Sequence, residues 1–211
     1  MSTSGCSAAD RTDVTALTYA SNETSVPEST LTSLFFEAID RFGTEPAFQR
    51  FESADRIVDI SYDEAYALVR SVAAGMASSG LSRGDRAAIL SENRPEWAIA
   101  DYACLCSGVI GVPIYPTLSP PQIAYILRDS GAKLVFVSSE ELLEKAREAV
   151  RECPQAVQIV AFDVPSGGDV TSWVDFLASG RGRRARCVPR RGARCPAGRC
   201  RDGALHVGDD R

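Results

Sequence analysis

Arg86-Ala-Ala-Ile-Leu90, Val109-Ile-Gly-Val-Pro-Ile-Tyr115, Lys133-Leu-Val-Phe-Val137 and Val157-Gln-Ile-Val-Ala161 recur along one stretch of the chain. Each is a short apolar run, rich in β-branched residues and bounded by turn residues. Such runs read as strands buried on both faces. Between them lie segments of helical character. Glu96–Ser107 follows Pro95, with Asn93 as its expected cap. Ser119-Pro-Pro-Gln122 opens the next, with Ser as cap, Pro at the first position and Gln at the third, and Gly131 closes it. Glu140–Cys153 is the last. Strand and helix alternate from Arg86 to Ala161, which predicts right-handed crossovers and a largely parallel sheet with flanking helices. The fold class is therefore α/β.

Upstream, Thr30 caps a predicted helix that runs to Phe42, with Leu31, Leu34, Phe35, Ala38, Ile39 and Phe42 at helical spacing. Gly43 ends it. Ala47–Phe51 and Arg56–Ile60 read as a hairpin turning at Ser53–Asp55. Ser61 with Glu64 is a capping box, and Ala65, Val69, Val72 and Met76 form the stripe of a helix that stops at Gly80. Residues 30–162 are predicted to contain the ordered α/β part, and apolar periodicity stops near Leu177.

Composition divides the chain into three. Residues 1–25 are rich in Ser, Thr and Ala and read as a disordered extension, with no signal peptide. Residues 26–180 are the globular part. Residues 1–180 hold 13 Lys+Arg against 25 Asp+Glu, whereas residues 181–211 hold 10 against 3. Nine arginines fall between Arg181 and Arg201, with Cys187, Cys195 and Cys200 and few apolar residues. Tyr102–Leu127 has no charged residue, but Pro113, Pro116, Pro120, Pro121, Gly108 and Gly111 fit a buried strand and loop better than a membrane span. Contact with a membrane surface stays open. Cys104 and Cys106 sit in an apolar run as small hydrophobes. A reduced, cytoplasmic protein is the expectation.

Residues 1–180 carry no glycine-rich phosphate loop, nucleophile elbow or metal-ligand pair, so no catalytic, cofactor-binding or metal-binding residue is assigned. Gly84-Asp85-Arg86 reads as a turn. Asn93-Arg-Pro-Glu-Trp97 reads first as a helix start with Trp97 packed on the sheet and Glu96 facing the positive end of the helix dipole. Its second reading has Trp97 or Arg94 lining a substrate channel. Val112-Pro-Ile-Tyr-Pro-Thr117 ends a strand at its carboxyl edge, where α/β sheets place ligands, so Tyr115 and Thr117 are candidate substrate contacts beside Trp97. Their alternative role is to turn the chain.

Five segments occur in a characteristic order: Ile60-Ser-Tyr-Asp-Glu64, Leu81-Ser-Arg-Gly-Asp-Arg86, Ser91-Glu-Asn-Arg-Pro-Glu-Trp97, Gly111-Val-Pro-Ile-Tyr-Pro-Thr117 and Ile126-Leu-Arg-Asp-Ser-Gly-Ala-Lys133. Over about residues 30–180 the chain resembles the amino-terminal subdomain of the adenylate-forming, AMP-binding superfamily. Within it, the chain is most similar to bacterial long-chain fatty acyl-CoA synthetases. The resemblance implies a ligase whose full-length members use ATP and Mg²⁺ to make an acyl-adenylate from a fatty acid, then transfer the acyl group to coenzyme A. The family's phosphate loop, adenine-binding segments and catalytic lysine lie beyond the matched region. A truncated, inactive fragment that binds none of these cofactors is the expectation. Another acid–CoA ligase of the superfamily is the alternative.

The tail then reads as an out-of-frame continuation. His206-Val-Gly-Asp-Asp-Arg211 can be encoded CAC GTC GGG GAC GAC CGG, which shifted by one base gives Thr-Ser-Gly-Thr-Thr-Gly. Ala204-Leu205 as GCT CTA places Leu-Tyr before it, and the family's phosphate loop has this sequence. The competing reading is a non-catalytic protein with a genuine basic tail. Cys187, Cys195, Cys200 and His206 would then be zinc ligands, although they lack the tight pairs of structural zinc sites. Alternatively the arginines would hold a nucleic-acid backbone without specificity, since no aromatic is interleaved for stacking.

Overall fold

The computed structural model describes residues 30–53 and 56–180. Its elements are α1 (Leu31–Phe42), β1 (Pro46–Ser53), β2 (Arg56–Ser61), α2 (Tyr62–Ser78), β3 (Arg86–Leu90), α3 (Pro95–Ser107), β4 (Ile110–Ile114), α4 (Pro120–Ser130), β5 (Leu134–Val137), α5 (Glu140–Arg151), β6 (Gln158–Ala161), β7 (Val170–Ser172) and α6 (Trp173–Ser179). The expectations for residues 1–25 and 181–211 lie outside the described residues, as do Ala54 and Asp55 of the hairpin turn.

Five strands form a parallel sheet in the order β4-β3-β5-β6-β7. The chain leaves β3 toward one edge, then crosses back over it to β5 and continues to the other edge. Right-handed crossovers in opposite directions put their helices on opposite faces. Accordingly Ala87, Ile89, Leu134 and Phe136 point into one apolar cluster with α1, α2, α3 and α6. Ala88, Leu90, Val135 and Val137 point into a second cluster with α4 and α5. The alternation of adjacent residues between two cores follows from the two-residue period of a strand. Hairpin β1–β2 forms a separate two-stranded antiparallel sheet.

The expected caps are largely present. Thr30 Oγ1 accepts the Ser33 amide, and Ser61 and Glu64 form a reciprocal capping box. Ser119 and Gln122 repeat that box at α4, and Gly131 closes α4 in the left-handed region at φ 62°. The cap of α3 is a correction. Arg94, extended at φ -157°, is the N-cap and makes no side-chain capping bond, and Asn93 lies one residue too early. Pro95 explains this: it forces its predecessor out of the helical region, so the helix starts at the proline.

The ordered part also continues beyond residue 162. β7 pairs with β6, and α6 packs on α2 through Phe176 and Gly180. An ideal Cβ on Gly180 would lie 2.6 Å from the Ala74 Cβ, so only a glycine admits this approach. Cys104 and Cys106 are buried free thiols, and burial pushes both up to about 12.

Candidate functional site

The switch point of the sheet lies between β3 and β5, where the outgoing loops run to opposite faces; open α/β sheets bind ligands at such points. Here the loop after β3, Ser91–Arg94, meets Ser138 after β5. The Glu92 carboxylate accepts a hydrogen bond from the buried Ser138 hydroxyl and closes the crevice. No glycine-rich turn enters this loop. The first turn of α3 offers little to a phosphate, because Pro95 lacks an amide proton and Glu96 brings an acid to the positive end of the helix.

Beside the switch point a cleft of about 730 Å³ opens along the carboxyl edge. Hairpin β1–β2 forms one wall, through Gln49, Arg50 and Phe51. Arg94, Glu96, Phe162, Asp163, Trp173 and Val174 form the other. Arg94 organises that wall. Its Nη1 and Nη2 donate to the Asp163 carboxylate at 2.6 and 2.9 Å, and its Nε donates to Glu96 at 2.7 Å. The guanidinium carbon stands 5.3 Å from the centroid of the Phe162 ring. Asp163 and then Glu96 push the guanidinium further up, against the effect of burial. Glu96 is only 6% exposed and also takes the Arg50 guanidinium at 3.5 Å. One buried carboxylate thus links the hairpin, the start of α3 and the loop after β6. Phe162 and Trp173 meet edge to face at 4.9 Å and close the floor.

The sequence candidates fall in different places. Trp97 is half-buried and packs on the α1–α2–α3 core, away from the cleft lining. Tyr115 is 77% exposed, and Thr117 is exposed in the same loop beyond β4. These two are neighbours in one loop, and Trp97 lies in the first turn of α3. Arg50, Asp163, Phe162 and Trp173 escaped sequence reading. A signal that could find Trp173 is Ser172-Trp-Val-Asp175, a helix start in which Ser172 Oγ accepts the Asp175 amide. Gly84-Asp85-Arg86 is the expected turn: Asp85 accepts from the Ser82 amide at 2.8 Å and pairs with Lys133 at 2.7 Å. Among the described residues no group of three His, Cys, Asp or Glu side chains is placed to hold a metal. No described helix is long and apolar enough to cross a membrane.

Comparison with known proteins places this architecture. The family described as AMP-binding enzyme matches residues 35–181. The long-chain-fatty-acid–CoA ligase ACSBG1 of Rattus norvegicus is 33% identical over 136 residues, which are 64% of this chain and 19% of that protein. The long-chain-fatty-acid–CoA ligase FadD15 of Mycobacterium bovis is 42% identical over 82 residues, 39% of this chain and 14% of that protein. Among solved structures, the anthranilate CoA ligase AuaEII in complex with anthranoyl-AMP superposes with a TM-score of 0.62 at 20% identity, over 76% of this chain and 28% of its own. A benzoate CoA ligase from Burkholderia xenovorans gives 0.59 at 16% identity, over 79% and 31%. These two show the likeness of fold. The chain spans about a fifth of the length of the rat ligase, 19%, and under a third of either solved chain. With a match that runs over residues 35–181, more than half of the chain, this protein belongs to the AMP-binding enzyme family.

Proposed function

We propose that this chain is the amino-terminal part of a long-chain fatty acid–CoA ligase and is inactive alone. In the full-length enzyme ATP and Mg²⁺ would activate a fatty acid as the acyl-adenylate, and coenzyme A would receive the acyl group. The observation that carries the reading is the matched span. It runs over residues 35–181, against ligases of fatty acids that are several times longer. The site chemistry agrees. Phosphoryl chemistry rests on positioning and charge neutralisation, and the cations at the cleft, Arg50 and Arg94, already face carboxylates. Exposed Tyr115 and Thr117, and Trp97, which is only partly buried against the core, remain the candidates for substrate contact.

The proposal includes the three-part division: an extension over 1–25, the truncated synthetase part over 26–180, and a tail from 181 read out of frame. Similarity to the family stops at residue 181, one residue past the compositional break, which supports the tail reading. A cytoplasmic location belongs to the same proposal.

Purified residues 1–211 are expected to release no pyrophosphate from ATP and palmitate. A longer protein, made by restoring the shifted frame after codon 180, is expected to do so. Fatty-acid-dependent release by the 211-residue chain would overturn the inactivity. A repaired protein that activates only a small aromatic acid would move the assignment to another acid–CoA ligase. A gene with no phosphate-loop sequence in any downstream frame would remove the frame reading.

A further inference from the structure

The turn after β4 is held from a distance. The Leu118 amide donates to Tyr115 O at 3.2 Å, which closes a β-turn over residues 115–118 with Pro116 at its second position. Proline presets the backbone there. The central peptide joins Pro116 to Thr117, and its carbonyl takes no part in the turn's own bond. Lys145 Nζ donates to that carbonyl at 3.3 Å from α5, 29 residues further along the chain. In a planar trans peptide the carbonyl and the amide point opposite ways. Fixing Pro116 O toward α5 therefore fixes the Thr117 amide on the other side of the turn.

The arm that does this is rigid. α5 is anchored by buried Leu142, Leu143, Ala146 and Ala149, and Ser139 caps its first turn. The Lys145 side chain is 27% exposed, so its apolar stem is largely covered. Glu141, one turn earlier, pairs with the ammonium at 2.9 Å. That pair needs nothing beyond the helix itself. The bond to Pro116 O is what carries Lys145 outside its own element.

The turn bears the substrate candidates Tyr115 and Thr117, both exposed. What it offers a substrate is mainly apolar. The Tyr115 ring and Pro113 present exposed carbon surface beside Pro116. Glu141 already balances the Lys145 charge. Phosphates are held by cations and oriented amides, so ATP and coenzyme A gain little here. An acyl chain gains by covering the ring and the prolines.

We propose that Lys145 is a positioning residue for the acyl chain: by holding Pro116 O it sets the turn from which Tyr115 and Thr117 meet the fatty acid. The role rests on the ligase reading above.

Two measurements test it. In the 211-residue chain, Lys145→Met keeps the apolar stem and removes the donor. Amide exchange at Leu118 is expected to quicken about tenfold, and Lys145→Arg is expected to restore it. Lys145→Gln gives the same reading by an independent change should the methionine variant not fold. Glu141→Gln removes only the helix pair, whose acid is 79% exposed, and is expected to leave Leu118 unchanged. In the frame-repaired protein, Lys145→Met is expected to raise KM for palmitate about tenfold with kcat unchanged. KM for ATP and for coenzyme A should not move, and Lys145→Arg should recover the palmitate KM. Exchange at Leu118 that ignores Lys145 overturns the clamp. The positioning role is overturned by an unchanged palmitate KM, a fall in kcat alone, an equal rise in all three KM values, or an arginine variant no better than methionine. A Glu141→Gln variant as impaired as Lys145→Met overturns it too. The ligase reading fails on a different result, an unsubstituted repaired protein with no palmitate-dependent pyrophosphate release. The role in positioning then falls with it, while exchange at Leu118 still decides the clamp.

Discussion

Glu96 is the residue on which the cleft depends. Its carboxylate is nearly fully buried, and it answers two arginines from different elements. Removing one partner of a buried charged network leaves the others poorly compensated. Glu96→Ala is therefore expected to cost about 2 kcal/mol in chemical denaturation. Asp163 touches the same guanidinium but is 56% exposed, and solvent screens such a pair. Asp163→Ala is expected to cost under about 1 kcal/mol. If the two costs came in the reverse order, Glu96 would not be the keystone. Asp85 makes a second residue-scale prediction, in pH. The Lys133 ammonium and the Ser82 amide hold its carboxyl at about 2, below its ordinary 3.8. A depressed carboxylate favours folding above the unfolded value, and that contribution is lost as pH falls from about 4 through about 2. Asp85→Asn is expected to lower stability by about 1 kcal/mol at neutral pH. The gap from the parent should close toward pH 2, read from urea midpoints across the range. A gap of constant size would rule out titration of Asp85 as its source.

At the scale of elements, the parts that follow from local chemistry were legible and the parts that follow from tertiary contact were not. Ser61 with Glu64, and Ser119 with Gln122, declare their helices because the capping partners lie three residues apart. β3 was read to the residue because Arg86–Leu90 is apolar and bounded by Asp85 and Ser91. Asn93 has the side chain of a cap but not its place, because Pro95 holds Arg94 extended and makes it the N-cap. The cleft stayed hidden for a different reason: Arg50 meets Glu96 only through the hairpin's placement, and Asp163 meets Arg94 only where the loop after β6 reaches the start of α3. β7 and α6 were missed because β7 has three residues and α6 seven, too short to establish a period. Their place is set by contact with α2 instead. An ideal Cβ on Gly75 would lie 2.8 Å from Phe176 Cε1 and 2.9 Å from the Phe176 carbonyl oxygen. The ring can turn, but the backbone oxygen cannot yield without moving α6. Gly75→Ala would ordinarily favour a helix by about 1 kcal/mol. Here it is expected to destabilise by a net of about 1–2 kcal/mol as overpacking dominates. Thermal denaturation of the variant decides the sign, and a raised midpoint would mean that α6 is not held this closely.

At the scale of the whole molecule, residues 1–180 carry a strong acidic excess and the following 31 a basic one. That contrast was plain in the letters, and the family match ends at the same place. Where the packed unit ends was less plain, because apolar periodicity stops near Leu177 while the last strand legible in the letters ends at Ala161. The structure supplies the missing physical reason to go further. β6 is covered on both sides by β5 and β7, and Ile159, Val160 and Ala161 are buried. Phe176 then stands edge to face with Phe136 at 5.5 Å, and Trp173 with the same ring at 6.1 Å. A protease that cut after Arg151 would separate β6, β7 and α6 from a core they share. Cleavage needs local opening of the backbone, and opening there would expose this aromatic cluster. Limited trypsin digestion of the 211-residue chain is therefore expected to leave a fragment whose carboxyl end is Arg181. Intact-mass measurement of the resistant species identifies that end directly. A stable fragment ending at Arg151 would mean that β6, β7 and α6 open independently of the sheet. It would also remove Trp173 and Val174 from any fixed cleft.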